Sequence, residues 1–257
     1  PQQTAEITVD ENLNDILKSR WYPEYYRDMI QKKRIDPDRM TESFGFFPGK
    51  EDGVARIVLK DEKVSFPYTG ITKNRMGAYQ FEGSPLLLQI RDEDTIAVNY
   101  TDEKGRVQIQ HFITLKENPQ ELVRAETDRR NAALQALVET GPVFNSVNYG
   151  MLQFSEGGRF LWNGYQVISP SIIPKGAGSA GYVSIRFFIG SKIKTDYQGI
   201  LSFKFDGSDD WIDFFYALSV QGVKLEYVKP ENITDGVAAV RNINPAILFF
   251  GTEGKDE

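Results

Sequence analysis

The chain contains no cysteine and a single histidine. The first absence removes disulfides, thiolate zinc sites, iron–sulfur clusters and cysteine nucleophiles. The second leaves a serine–histidine–aspartate triad one base to draw on, His111, and excludes a histidine-rich metal site. No Gly-x-Ser-x-Gly elbow stands ready to supply the serine. Basic charge is in short supply too: 30 Lys and Arg against 36 Asp and Glu leave a net charge of −6. Binding to nucleic-acid phosphates calls for a basic surface instead. The one short basic cluster, "QKKR" at 31–34, reads as the solvated face or end of a helix. No apolar run reaches the ~20 residues that a membrane-spanning helix needs. The chain opens on "PQQTAEITVD" with no initiator Met and no signal sequence, so removal of something upstream is an expectation.

What is present is ordinary for a protein with a real core: 257 residues, 40% of them hydrophobic and 26% charged. That length suits one large β domain or two smaller ones. Residues 1–9 are polar and unpatterned and read as a tether. Asp10 is placed to cap a short helix carrying Leu13, Ile16 and Leu17 at helical spacing. A second helix is expected to open at Pro23, the favoured first helical position, and to run through Tyr25, Tyr26, Met29 and Ile30.

From about residue 44 the period changes to two. "VARIVLK", "KVSFPY", "GAYQFE", "PLLLQIR", "DTIAVNYT" and "GRVQIQHFITL" are separated by the turn formers "KEDG", "KDEK", "EGSP", "RDED" and "TDEKG". One helix interrupts this meander. Asn118 caps it, Pro119 opens it, and Gly141 and Pro142 end it. Its charged first half and its apolar Leu134, Leu137 and Val138 fit a strut between β parts or a plug across one. Strands then resume, including "GYVSIRFFIG", "QGILSFKFDG" and "WIDFFYALSV". The expected fold is mainly β: antiparallel meanders forming a barrel or two small β modules, with a helical N-terminal extension and one linking helix. The expected division is a tether with helices over 1–43, a β module ending in the linking helix over 44–141, and a barrel-like module over 142–257.

"IPKGAGSAGY" holds a formal Gly-x-Gly-x-x-Gly at Gly176, Gly178 and Gly181. As a dinucleotide cradle it needs a strand before and a helix after, so that the helix N-terminus meets the pyrophosphate. Here "SPSIIP" precedes it and the strand-like "YVSIRFFIG" follows. The glycines therefore read as a loop between strands. His111 shares a strand face with Val107, Ile109 and Ile113, which points to a buried structural histidine. Paired carboxylates do glycosidic or proton-transfer chemistry elsewhere. The two acidic groups, "RDEDT" (Asp92, Glu93, Asp94) and "FDGSDDWID" (Asp206, Asp209, Asp210, Asp213), lie where Asp and Gly form turns. The second lacks the residue order of a calcium loop. Asp213 is the exception, because it falls inside a strand pattern beside Trp211. No catalytic residue, metal site or cofactor is expected.

Aromatic residues concentrate in the C-terminal half. A barrel of about eight strands is either filled by such side chains or hollow around one small ligand. Trp162, Tyr165, Trp211 and Tyr216 are the candidate ligand contacts. The run "GMLQFSEGGRFLWNGYQVI" and the meanders after it, roughly residues 150–250, resemble the small lipocalin-like or META-like barrels of bacterial cell-envelope lipoproteins. The resemblance implies a non-enzymatic protein of the periplasm or cell surface. It would bind a small apolar ligand or another envelope protein, and any membrane attachment would run through a lipid anchor upstream of residue 1. Two alternatives stay open: a carboxylate-dependent hydrolase acting on carbohydrate, and a structural assembly subunit.

Overall fold

The computed structural model describes residues 11–48, 53–59, 62–102, 104–140, 143–165, 168, 171–190, 196–240 and 247–251. The chain divides into two compact units, residues 1–124 and 125–257. The fold is mainly β, with two barrel-like antiparallel sheets, one in each unit.

The first unit comprises α1 (Glu11–Lys18), β1 (Arg20–Pro23), α2 (Tyr25–Gln31), β2 (Ser43–Pro48), β3 (Gly53–Leu59), β4 (Glu62–Tyr68), β5 (Gly70–Lys73), β6 (Tyr79–Glu82), β7 (Leu87–Ile90), β8 (Thr95–Thr101) and β9 (Val107–Ile113). Its nine strands run in the order β4-β3-β2-β1-β9-β8-β7-β6-β5. The outermost two, β4 and β5, follow each other in the chain with only Thr69 between them, so the sheet curls almost shut. Strand β1 stitches the sheet together. Arg20 and Trp21 pair with Gly45 and Phe44 of β2, while Tyr22 and Pro23 pair with Ile113 and Phe112 of β9. Pro23 therefore ends a strand instead of opening a helix. A strand end tolerates its missing N–H, and the next amide, Glu24, bonds to the His111 carbonyl at 3.2 Å. Leu13 and Ile16 of α1 pack with Trp21, Phe44, Phe46, Phe81, Leu88 and Phe112 in this unit's core. The proposed cap of α1, Asp10, lies outside the described residues.

Helix α3 (Pro119–Thr140) is capped as its sequence demands: the Asn118 side-chain oxygen accepts from the Gln120 amide at 3.0 Å. Beyond it come β10 (Val143–Ser146), β11 (Gly150–Ser155), β12 (Arg159–Asn163), β13 (Ala180–Ser184), β14 (Phe188–Ile189), β15 (Gly199–Phe205), β16 (Ile212–Ser219), β17 (Gly222–Val228), β18 (Ile233–Thr234), β19 (Val237–Ala238) and β20 (Ile247–Gly251). Eight of these close a barrel in the order β10-β11-β12-β13-β15-β16-β17-β20, every neighbouring pair antiparallel. The small sheet β14-β19-β18 stands apart from the barrel wall. "GYVSIRFFIG", which reads as one strand in the sequence, is split: β13 stops at Ser184 and the chain leaves the wall before entering β14.

Residues of alternate parity sort to the two sides of the wall. Leu201, Phe203 and Phe205 of β15 and Ile212, Phe214 and Tyr216 of β16 join the interior cluster with Phe144, Phe154, Phe160 and Trp162. Ile200, Phe215 and Val228 face the other way and form a second cluster with Ala238 and Val240. The small sheet thus covers the outside of β15–β17.

Candidate functional site

The barrel interior is a packed aromatic core. Phe203 is its hub, with ring centroids 5.0 Å from Phe160, 5.5 Å from Trp162, 5.5 Å from Phe214 and 6.2 Å from Phe154. The two ends are stoppered by different elements. At the end where β10 starts and the β11–β12 turn lies, Leu137 of α3 is fully buried in the interior cluster, with Ala133, Leu134 and Val138 packed beside it. At the other end Ile168 and Ile173 enter the same cluster, with Tyr165, Ile172 and Ala177 against it. The linking helix acts as a plug. On this end Arg130 is buried as well. Its Nε bonds Glu126 at 2.8 Å, its Nη1 donates to the Ile185 carbonyl at 3.1 Å, and its guanidinium lies 5.3 Å from the Phe188 ring centroid.

This packing places the four candidate ligand contacts in three environments. Trp162 and Tyr216 belong to the interior cluster. Trp162 is wholly buried, and its indole N–H donates to the Tyr149 carbonyl at 3.1 Å. Tyr165 belongs to the stopper, its hydroxyl donating to the Ala177 carbonyl at 2.8 Å and its ring 5.1 Å from Phe205. Trp211 is apart from all three. It is partly exposed, just before β16, with the Arg186 guanidinium 4.7 Å from its ring centroid.

The outer face of β15–β17 also carries three buried polar residues, Ser202, Asp213 and Glu226. Ser202 and Asp213 are register partners, and the serine hydroxyl donates to Asp213 Oδ1 at 2.5 Å. The Tyr197 hydroxyl donates to Glu226 Oε2. Beside them Lys224 binds Asp196 at 2.6 Å and lies 4.8 Å over the Tyr197 ring. Asp213 does face outward from the barrel, as its strand position implies, but it is roofed over. Burial pushes its carboxyl above the usual range, more than the Ser202 bond and the Arg186 charge pull it down. A carboxyl raised on folding stabilises the protein in its protonated form; that contribution is lost as pH climbs through the raised pKa. Wild-type protein is therefore expected to lose stability relative to Asp213→Asn as pH rises above about 4. Parallel stability–pH curves for the two proteins would refute this assignment.

A cavity of about 470 Å³ opens between α3 and the barrel rim, lined by Leu134, Val138, Phe154 and Val183 on its apolar side and by Asn131, Gln135, Ser155 and Glu156 on its polar side. The expectation for His111 needs correction. Its side chain is 47% exposed, 3.6 Å from the Glu24 carboxylate, and its face-mates Val107 and Ile109 are 72% and 64% exposed. The half-buried side of this part of β9 carries Gln108 and Gln110 instead. The acidic groups behave as turns. Asp92 Oδ1 accepts from the Asp94 amide at 3.2 Å, and Asp94 pairs with Arg27 at 3.0 Å. Asp206 makes two bonds to Arg159, at 2.9 and 3.2 Å, which hold its carboxyl below the usual range. Among the described residues no three His, Cys, Asp or Glu side chains converge as metal ligands.

The glycine motif leads into β13, so no helix N-terminus meets Gly181. Sequence reasoning overlooked Arg186. Its only signal was a positive charge in strand phase with Tyr182, Ser184 and Phe188.

Residues 2–115, up to the end of the first sheet, match the third domain of the TP0260 family. No solved structure matches the chain. Over 256 residues the chain is 40% identical to an uncharacterised protein of Treponema pallidum (strain Nichols), an alignment covering 100% of this chain and 57% of that protein. The chain thus spans little more than half the length of the curated relative it matches.

Proposed function

We propose that the chain is a non-enzymatic binding module of a bacterial cell-envelope protein, and that it holds a partner protein on the outside of its barrels. One observation carries this reading: the second barrel is filled by aromatic rings and stoppered at both ends. A lumen ligand would have to displace the packing that stabilises the fold, and each ring of that size contributes a few kcal/mol. Recognition then falls to the outer surface. Further support comes from His111, which lies exposed with Glu24 as its acidic neighbour, an arrangement that lacks the buried, oriented base of a hydrolytic triad. The bacterial relative and the resemblance of residues 150–250 to envelope barrels favour the location.

Two measurements test the proposal. Fractionation of cells expressing the native gene is expected to place the protein with the envelope; recovery in the cytosol would overturn the location. Acrylamide quenching is expected to reach Trp211 and to spare Trp162, with no protection by added fatty acid or retinoid. A lipid that binds saturably one to one and changes the Trp162 signal would replace the outside reading with a lumen ligand.

A further inference from the structure

Arg186 is held without being used. Its guanidinium carbon lies 4.9 Å from the Phe187 ring centroid and 4.7 Å from the Trp211 centroid. Attraction to ring faces occupies the charge but leaves the five N–H donors of the fork free. Among the described residues no acceptor takes them: Arg186 forms neither a hydrogen bond nor an ion pair. The obvious counter-ion declines the role. Asp213 feels the charge of Arg186, yet its carboxyl is engaged by Ser202 at 2.5 Å rather than by the guanidinium. Arg159 shows what this protein does with an arginine it uses internally: stacked 4.3 Å over Tyr182, it also makes two bonds to Asp206. Arg186 has the stack and lacks the carboxylate.

We propose that Arg186, clamped by Trp211 and Phe187 on the outer face of the second barrel, is a receptor for a carboxylate carried by a partner polypeptide. The guanidinium edge matches a planar two-oxygen acceptor, and that pairing is both directional and stronger than a neutral hydrogen bond. The two rings fix the fork in advance, so less side-chain freedom is lost on binding. One guanidinium balances one negative charge. A phosphate dianion would bring a second charge with no further cation offered by the clamp. A polyanion is disfavoured again by the net charge of −6. The inference rests on the binding-module reading and is independent of where the protein resides.

The probes are N-acetylphenylalanine, which presents a terminal carboxylate, N-acetylaspartic acid α-amide, which presents a side-chain carboxylate, and N-acetylphenylalaninamide, which presents neither. Binding is read from the three tryptophan indole N–H signals in nuclear magnetic resonance spectra, with Trp211 assigned from Trp211→Phe. At least one carboxylate probe is expected to move the Trp211 signal saturably, and the tighter of the two names the source. The amide is expected to move nothing. Arg186→Gln is expected to weaken binding about tenfold or more, the worth of one charge-assisted pair, while the Trp21 and Trp162 signals report an intact fold. Arg186→Lys keeps the charge but not the fork and is expected to fall between. Equal shifts from the amide, tighter binding of inorganic phosphate, or no saturable shift from either carboxylate would each overturn the receptor, and the amide comparison needs no variant to fold. Failure here, with no added lipid changing the Trp162 signal, removes the receptor alone and leaves the binding-module reading standing.

Discussion

Phe203→Ala is expected to destabilise the second unit by about 3–5 kcal/mol, the range for deleting a fully buried aromatic ring. The position leads the list because of what surrounds it. Four rings close on Phe203 from β11, β12 and β16, at centroid distances between 5.0 and 6.2 Å. These rings are anchored on strands whose spacing is fixed by backbone hydrogen bonds, so they cannot collapse into the space left behind. The closed wall makes relaxation harder than in an open sandwich, where a whole sheet can settle inward. Chemical denaturation followed by Trp162 fluorescence measures the loss directly, since that indole touches the deleted ring. Val220→Ala, at a turn position that is 99% exposed, is the control, expected within about 0.5 kcal/mol of wild type. A Phe203→Ala cost below about 1 kcal/mol would mean that the interior is loosely filled. That result would also reopen the case for a ligand in the lumen.

The β meander and its punctuating turns were readable because hairpins announce themselves locally. "TIAVNY" alternates Ile96, Val98 and Tyr100 inward, and these three do enter the first core. Helix α3 was readable for the same reason, since Asn118 and Pro119 carry the start signal within two residues. What escaped depended on contacts distant in sequence. Strand β1 has four residues between two helices, too few for a period to show, yet it joins the two halves of the first sheet. On β9 the alternation is real, but its phase is the reverse of the one that the apolar residues suggest. An apolar row of Val107 and Ile109 reads as the buried side until the neighbouring strands show that Gln108 and Gln110 are the better covered pair. Asp213 posed the subtlest problem. Its outward direction was legible from strand parity, but the outer side of β15–β17 is covered, and the covering strands β14, β18 and β19 have two residues each and leave no periodic trace. Arg186 went unnoticed because an unused donor is visible only once every acceptor around it has a place.

The three glycines of "KGAGSAG" are expected to tolerate alanine to sharply different degrees, and the gradient separates a strand-entry loop from a nucleotide cradle. Gly181→Ala is the severe one. A Cβ there would lie 1.9 Å from the Lys204 carbonyl oxygen, a backbone atom fixed in the β13–β15 ladder. Gly181 is also the register partner of both Phe160 and Phe205, whose rings meet at 5.1 Å, so β13 cannot shift inward to escape. Relief requires breaking the ladder, and the expected cost is about 3 kcal/mol or more, beyond ordinary overpacking. At Gly178 the nearest atom to a new Cβ is the Asp206 oxygen at 3.5 Å, an ordinary contact, so Gly178→Ala should be nearly silent. Gly176 has open space around it but a φ of +81°, so Gly176→Ala bears only the left-handed backbone penalty of about 1–2 kcal/mol. Thermal unfolding of the three single variants, read by Trp162, puts these in order: 181 far worst, 176 intermediate, 178 least. A phosphate cradle makes a different demand, because its second glycine is the one that admits the pyrophosphate against the backbone. In that case Gly178→Ala would abolish saturable binding of NAD or ATP while leaving stability intact, and such a result would return this loop to the nucleotide-binding class that its flanking strand excludes.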